Sequence, residues 1–359
     1  MGSLGHRWTI VGLGGLSCGM GALSWITAPT SSMHDTAVSA APQIRVIPRA
    51  TPSRSSLLSG PSSQPIALPA ARLSSSDRKI FNQLRSRVRT EDWTSLPIGT
   101  LTQRVGESFL GSEYQANLLD RASQNTSRNA LQTGLGQETL TASLQQFDCV
   151  LFVETALALA QTFQQPNLSD MQAETSFFNA LQQYRYRNGT LTNYCSRLHY
   201  FSDWILDHNR RGLVQDMGRS LDGGGVPLDR SLSFMSQNWG KYPILVAQPE
   251  FRTCIAETEA AIDTKNVFYL PTQQISQHYS KLQPGDIVGI VTRMKNLDVT
   301  HSGLVYQHLD ANGAARSSKT GLLHASVRSG VKISSDLATY VAGVEGAIGI
   351  VVARPLPLK

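Results

Sequence analysis

"FDCVLFVETALALA", residues 147 to 160, sets one cysteine at the front of a run that otherwise wants to be buried. Asp148 precedes Cys149, and Val150, Val153, Leu157 and Ala160 recur at helical spacing, so a helix is predicted to begin at or near the cysteine. A thiol there lies beside backbone N–H groups that have no intrahelical acceptor, and those groups with the helix dipole favour thiolate. The competing reading is plain packing, because free cysteine is among the most buried residue types. Histidines tip the balance towards chemistry. A cysteine nucleophile needs a base within hydrogen-bond reach and a third group to orient that base. His301 opens "HSGLVYQH" and His324 sits in "LLHAS", 23 residues later, one strand-turn-strand unit. Adjacent antiparallel strands would bring the two rings together. His208, in a polar "DHNRR" helix end, and His278, in a loop, are read as solvated.

Outward from that stretch, the texture divides. Between Asp77 and about Asp263 helical spacing dominates: Ile80, Leu84 and Val88 recur, as do Leu181 and Tyr184, and "LHYFSDWIL" gathers Leu198, Phe201 and Ile205 on one side. After about Asn266 come short β-rich runs, "VFYLP", "DIVGIVT", "SGLVYQH", "GLLHAS", "VKIS" and "AIGIVVARP", separated by Pro-Gly, Asn-Gly and Ser-Gly turns. Helices followed by an antiparallel sheet predict an α+β fold. The stretch from Gly212 to Arg230 reads as an insertion, either a lid or a surface loop.

The 359 residues carry 41 % hydrophobic and 16 % charged side chains, the balance of a globular protein. Residues 1–28, with His6 and Arg7 before "WTIVGLGGLSCGMGALSWI", read as a signal peptide, cut near Ala28 or Ala40, or as an uncleaved membrane anchor. Residues 29–76 are Ser, Pro and Ala-rich, a disordered linker. Residues 77–359 form the folded domain, and it is expected outside the cytoplasm. Of the net charge of +6, five arginines against Asp35 alone put +4 in residues 1–76. The domain therefore needs no nucleic acid to explain its charge. The Gly-rich "DGGGVP" around Gly223 follows no apolar strand, and no phosphate loop or zinc spacing occurs, so neither cofactor nor metal is expected. Removing Cys18 with the signal leaves Cys149, Cys195 and Cys254. One bridge plus one thiol is the economical outcome in an oxidising compartment, with Cys195 paired to Cys254 and Cys149 left over; three reduced cysteines is the alternative.

"FDCVLFVETALALA", "SRLHYFSDWILDH", "LQPGDIVGIVTRMKNLDVTHSGLVYQH" and "LLHAS", in that order, resemble the N-acetylmuramoyl-L-alanine amidase-like family, within the NlpC-type papain-like superfamily of cell-wall cysteine amidases and peptidases. The similarity runs over roughly residues 80 to 355. It implies a papain-like NlpC-type fold, with a helical half packed on an antiparallel sheet and the nucleophile at a helix N-terminus. It assigns Cys149 as nucleophile, His301 as base and His324 as the orienting residue, and it likens "GSEY", Gly111 to Tyr114, to a turn that brings a tyrosine to the site. "SRLHYFSDWI" reads as the family's own substrate wall. Arg197 is placed to bind a stem-peptide carboxylate, and His199, Tyr200, Asp203 and Trp204 to offer hydrogen bonds and a flat face. The alternatives are core aromatics for Tyr200, Phe201 and Trp204, and an Arg197–Asp203 ion pair.

The resemblance implies a monomeric enzyme that cuts the N-acetylmuramoyl-L-alanine bond of peptidoglycan fragments, those with a 1,6-anhydro ring in particular. Two other outcomes stay open: a D-glutamyl-diaminopimelate endopeptidase with the same triad, and a wall-binding protein without turnover.

Overall fold

The predicted helix beginning at Cys149 runs to Phe163 and is the centre of the molecule. It is apolar on every side, so it can exist only where other elements cover it all round. All of its residues but Val150 are buried. The structure, a computed structural model of the full chain, describes residues 71–120, 138–221 and 225–357. The signal, residues 29–70 of the linker, Gly223 and Gly224 lie outside the described residues; the linker's last stretch is folded, since Leu73 is buried, Ser74 caps the first helix and Ser75 and Ser76 open it.

Five helices build one side: α1 (Ser75–Thr90), α2 (Ile98–Glu107), α3 (Cys149–Phe163), α4 (Asp170–Arg185) and α5 (Phe201–Arg211). Each begins and ends for a local reason. Ser74 caps α1 through the Asp77 N–H, Ser169 and Gln172 form a capping box on α4, and Gly212, at φ 71°, ends α5 in the left-handed conformation that glycine adopts without strain. Two strands of two residues follow the early helices, β1 (Glu113–Tyr114) and β2 (Gln146–Phe147), paired in parallel. A longer helix, α6 (Glu250–Ala261), and a short one, α7 (Leu337–Ala342), complete those that matter here.

The sheet contains β3 (Val214–Asp216), β4 (Val226–Pro227), β5 (Phe268–Pro271), β6 (Ile287–Thr292), β7 (Val299–Leu309), β8 (Ala315–Ser326), β9 (Gly330–Ser334) and β10 (Ala347–Pro355). Its order is β4-β5-β10-β6-β7-β8-β9, with β3 added against β10, and every pairing is antiparallel. The expected α+β order, helices first and sheet second, is what the chain adopts. The stretch from Gly212 to Arg230 is neither lid nor free loop where it is described: Val214–Asp216 and Val226–Pro227 extend the sheet, held by main-chain hydrogen bonds that composition does not reveal.

β6 is buried along its whole length because the sheet is covered on both faces. Ile287, Leu304 and Leu323 face the core shared with α2 and α3. Val288, Ile290, Val305 and Leu322 face a second core closed by α7 and the 3-10 helix Thr272–Lys281. A third cluster joins Tyr194, Tyr200, Tyr242, Leu245 and Ile255. Beside it Cys195 is bonded to Cys254, with Cα atoms 6.1 Å apart, as the cysteine count suggested.

Candidate active site

The helix start is built by Asp148. Its backbone is extended (φ −89°, ψ 178°) and its carboxylate accepts the Leu151 N–H at 2.8 Å, so the chain turns from β2 into α3 at this residue. Burial pushes the Asp148 carboxyl up to about 6, against the N–H groups that favour its charge. Tyr114 pairs with Phe147 in the β1–β2 bridge and so stands next to this turn; burial, then the Asp148 charge, keep its phenol protonated well above the ordinary range. The turn before it uses Gly111 at φ 85°, a conformation few other residues tolerate, and docks on β9 through the Gly111 N–H to Val331 carbonyl bond and the Val331 N–H to Ser112 carbonyl bond.

Strand register brings the two histidines together. Leu304 pairs with Leu323, and continuing that register sets Gly303 opposite His324, with His301 two residues earlier on the same face. His301 Nε2 lies 2.7 Å from His324 Nδ1, and the rings meet edge to face at 4.9 Å. Tyr340 of α7 tilts over both rings, 4.7 Å from His324 and 6.1 Å from His301. The far nitrogen of His324, Nε2, is 3.1 Å from Ser334 Oγ. Burial lowers His301 to about 4 and His324 to about 2, the latter helped by its neighbour and by Lys332, so both are neutral imidazoles near pH 7.

Ser302, one residue on and therefore on the opposite face of β7, donates its hydroxyl to the Cys149 carbonyl at 3.1 Å. That bond ties the start of α3 to the strand that carries His301. Val150 and His301 share a narrow cavity of about 30 Å³ with His199, Tyr200, Trp204 and Asp298. A second cavity, about 50 Å³, runs from Val150 and His199 past Asp148 to Glu154, Arg185 and Asp120. A larger hollow of about 560 Å³ lies between the end of α3 and the outer side of α4. It is lined by no ionisable side chain and shares no lining residue with the two smaller cavities, so volume alone does not mark the chemistry here.

The expected substrate wall is mostly framework. Arg197 is buried and already satisfied by the chain: its guanidinium donates to Glu138 at 2.7–3.0 Å and to Asp120 at 2.8 Å. It is therefore not a site for an incoming carboxylate, nor does it pair with Asp203, whose two oxygens take Arg187. Trp204, 3 % exposed, stacks between Phe201 and Tyr184 as a core aromatic that only edges the narrow cavity. His199 lines both cavities; its Nε2 lies 2.9 Å from the Tyr194 carbonyl, which can only accept, so Nε2 carries the proton and Nδ1 is an acceptor. Burial and Arg197 lower it to about 3. His208 is not solvated: it is 0 % exposed, stacked on Tyr184 and tilted against Trp204, because its own helix turns it inward four residues after Trp204.

One expectation about Cys149 is corrected as well. Among the described residues no cysteine is free, and Cys149 is disulfide-bonded. Nucleophilic chemistry at Cys149 therefore requires the reduced thiol. Ser334 and Tyr340 carried no signal in the sequence, whereas the cap at Asp148 did, as an Asp just before an apolar helical run.

Residues 104–348 match the family model described as AmiA-like, N-acetylmuramoyl-L-alanine amidase-like. No curated protein matches the chain. Among solved structures, an N-acetylmuramoyl-L-alanine amidase from Bacteroides uniformis is 29 % identical with a TM-score of 0.60, over 72 % of this chain and 99 % of that one. A Bacteroides fragilis protein named as a candidate xylanase is 31 % identical (TM-score 0.55), over 70 % of this chain and 99 % of that one. A Legionella pneumophila protein, 19 % identical with a TM-score of 0.54 over 79 % and 94 % of the two chains, shares the fold. The model covers more than half of the sequence, and the chain belongs to the N-acetylmuramoyl-L-alanine amidase-like family.

Proposed function

We propose that this protein is an exported cysteine amidase of NlpC-type papain-like architecture that hydrolyses the bond between N-acetylmuramic acid and L-alanine in peptidoglycan fragments, those with a 1,6-anhydro ring in particular. The observation that carries the reading is the 2.7 Å contact between His301 Nε2 and His324 Nδ1, on a strand bonded through Ser302 to the first residue of α3. Two neutral imidazoles in hydrogen-bond contact, His301 half-buried and His324 buried, suit a base and its orienting partner.

In this reading the reduced Cys149 sulfur gives its proton to His301 and attacks the lactyl carbonyl of the muramoyl group. The Cys149 N–H at the helix start holds the oxyanion, and the protonated Tyr114 phenol is a further donor beside it. His301 then passes the proton to the departing amine as the C–N bond breaks. A stem peptide beginning at L-alanine leaves, and a muramoyl thioester stays on the enzyme. Water, deprotonated by His301, cleaves the thioester and restores the thiol. His199 Nδ1 accepts a hydrogen bond from substrate at the cavity edge.

The test is mass spectrometry of muropeptides, with and without the anhydro ring, after incubation with the reduced chain and with Cys149→Ala. Free stem peptide beginning at L-alanine, formed only by the native cysteine, is the expected product. Cleavage inside the stem would move the bond to the endopeptidase reading; equal turnover by the alanine variant would sink the proposal.

A further inference from the structure

Two neutral imidazoles that share one hydrogen bond have two arrangements, and only one of them supports a base. Either His301 Nε2–H donates to His324 Nδ1, which leaves the His301 Nδ1 lone pair for the thiol, or the bond runs the other way and His301 Nδ1 holds a proton it must not have. The choice propagates. In the productive arrangement His324 accepts at Nδ1 and so carries its own proton at Nε2, where an acceptor is required. The group met there is Ser334 Oγ, at 3.1 Å.

The sheet delivers all three side chains by the same geometry. His324 pairs with Lys332 across β8 and β9, so Ser334, two residues beyond, is the diagonal neighbour of His324 on the same face. His301 is its diagonal neighbour on the other side, across β7. The three therefore form a slanted row over three adjacent strands, under Tyr340. Ser334 is half-buried, so its own proton can turn to water while the oxygen accepts from the ring. His324 is 0 % exposed, and an unpaired Nε2–H would have no solvent to compensate it.

We infer that Ser334 is a positioning residue for this site: its hydroxyl oxygen is the acceptor that the buried His324 Nε2 proton needs, and so it permits the arrangement that leaves His301 Nδ1 unprotonated. This rests on the reading of Cys149 and His301 as nucleophile and base. No proton travels the row during turnover. A neutral hydroxyl accepts that proton without drawing His324 towards an imidazolium, as a carboxylate in its place would.

The experiment compares native protein, Ser334→Ala and Ser334→Thr, all reduced, in the muropeptide assay, with ¹⁵N-histidine NMR on the same three samples. Native spectra should show both His301 and His324 as Nε2–H tautomers. Alanine should lower kcat about 10-fold with KM within twofold and bring the Nδ1–H form into the His301 and His324 signals. Threonine, which keeps the hydroxyl, should restore both. An alanine variant with native tautomers and kcat within twofold would overturn the inference, as would a threonine variant as impaired as alanine. Should Cys149→Ala keep full turnover, the proposed function falls while the tautomer spectra still decide what Ser334 does.

Discussion

Arg197 and Glu138, 59 residues apart in the chain, are joined by three hydrogen bonds of 2.7 to 3.0 Å. Asp120 takes a further guanidinium nitrogen at 2.8 Å, and the Tyr194 ring covers the cation at 4.9 Å. The residue that looked best suited to grip a substrate carboxylate is instead a clamp holding Tyr194 to Tyr200, and hence His199, against the stretch before α3. Arg197→Ala would leave two buried carboxylates uncompensated, a loss of about 3–5 kcal/mol. The expected result is a melting temperature lower by roughly 10 °C, with KM little changed at 20 °C. A tenfold rise in KM at an unchanged melting temperature would restore Arg197 to substrate.

How legible each part was follows from the range of the interaction that fixes it. The helix start at Cys149 depends on Asp148 and a few apolar neighbours, all within one turn, so it could be read directly. The meeting of His301 and His324 needed only a strand, a turn and a returning strand. Arg197 could not be read, because its partners are 59 and 77 residues away and their arrangement is a property of the fold. His208 was misjudged because "DHNRR" is polar as a string, while the burial of one ring depends on which side of α5 meets Tyr184. Ser334 has no signal at all in a chain rich in serine. Only register across two strand pairs gives it meaning.

Cys149 is in a disulfide, so the reading makes activity conditional on reduction. Without reductant the full chain should be inert to iodoacetamide at this position and should release no stem peptide. With dithiothreitol both labelling and turnover should appear together, and Cys149→Ala should show neither. Reduction also opens the Cys195–Cys254 bridge, whose loss costs about 2–5 kcal/mol, so the assay belongs near 20 °C. Turnover undiminished in the absence of reductant would refute the dependence on the thiol.

Acid should destabilise the fold through buried histidines. His208 and His324 are 0 % exposed, and burial lowers them from the ordinary 6.5 to about 4 and about 2. Between pH 6.5 and about 4 the unfolded chain takes up protons on these rings while the folded chain does not, so stability falls as the pH falls. The slope is roughly 1.4 kcal/mol per pH unit for each ring that only the unfolded chain protonates. His301 and His199, lowered by burial as well, add to this, while carboxyls raised by burial act with the opposite sign: Asp148, raised to about 6, and Glu154, Asp203, Asp216, Asp286 and Asp298 bind protons in the folded state first and offset part of the loss. Urea unfolding at pH 8, 6.5 and 5 should give similar midpoints for the first two and a clearly lower one at pH 5. An equal or higher midpoint at pH 5 would mean that these rings are not held neutral.

Gly303 permits the close approach of β7 and β8 where the histidines meet. A Cβ at this position would lie 2.8 Å from the Leu323 carbonyl oxygen and 2.9 Å from the His324 Cβ, closer than real side chains come. Neither neighbour is the loose end of a flexible chain: one is backbone and the other is the root of the His324 side chain. Gly303→Ala must therefore push β8 away from β7, and a few tenths of an ångström at His324 is enough to stretch the 2.7 Å contact with His301. Overpacking of this kind costs about 1–3 kcal/mol, which a domain of this size can survive. The loss in kcat should be larger in proportion, about 100-fold, since the base would lose the partner that orients it. Gly343→Ala is the control, for its Cβ would meet only carbonyl oxygens at 3.5 and 3.6 Å, ordinary contact distances. Muropeptide turnover measured beside melting temperature separates the cases: a Gly303→Ala protein that stays folded and nearly as fast as Gly343→Ala would show that the spacing of these strands does not limit the chemistry.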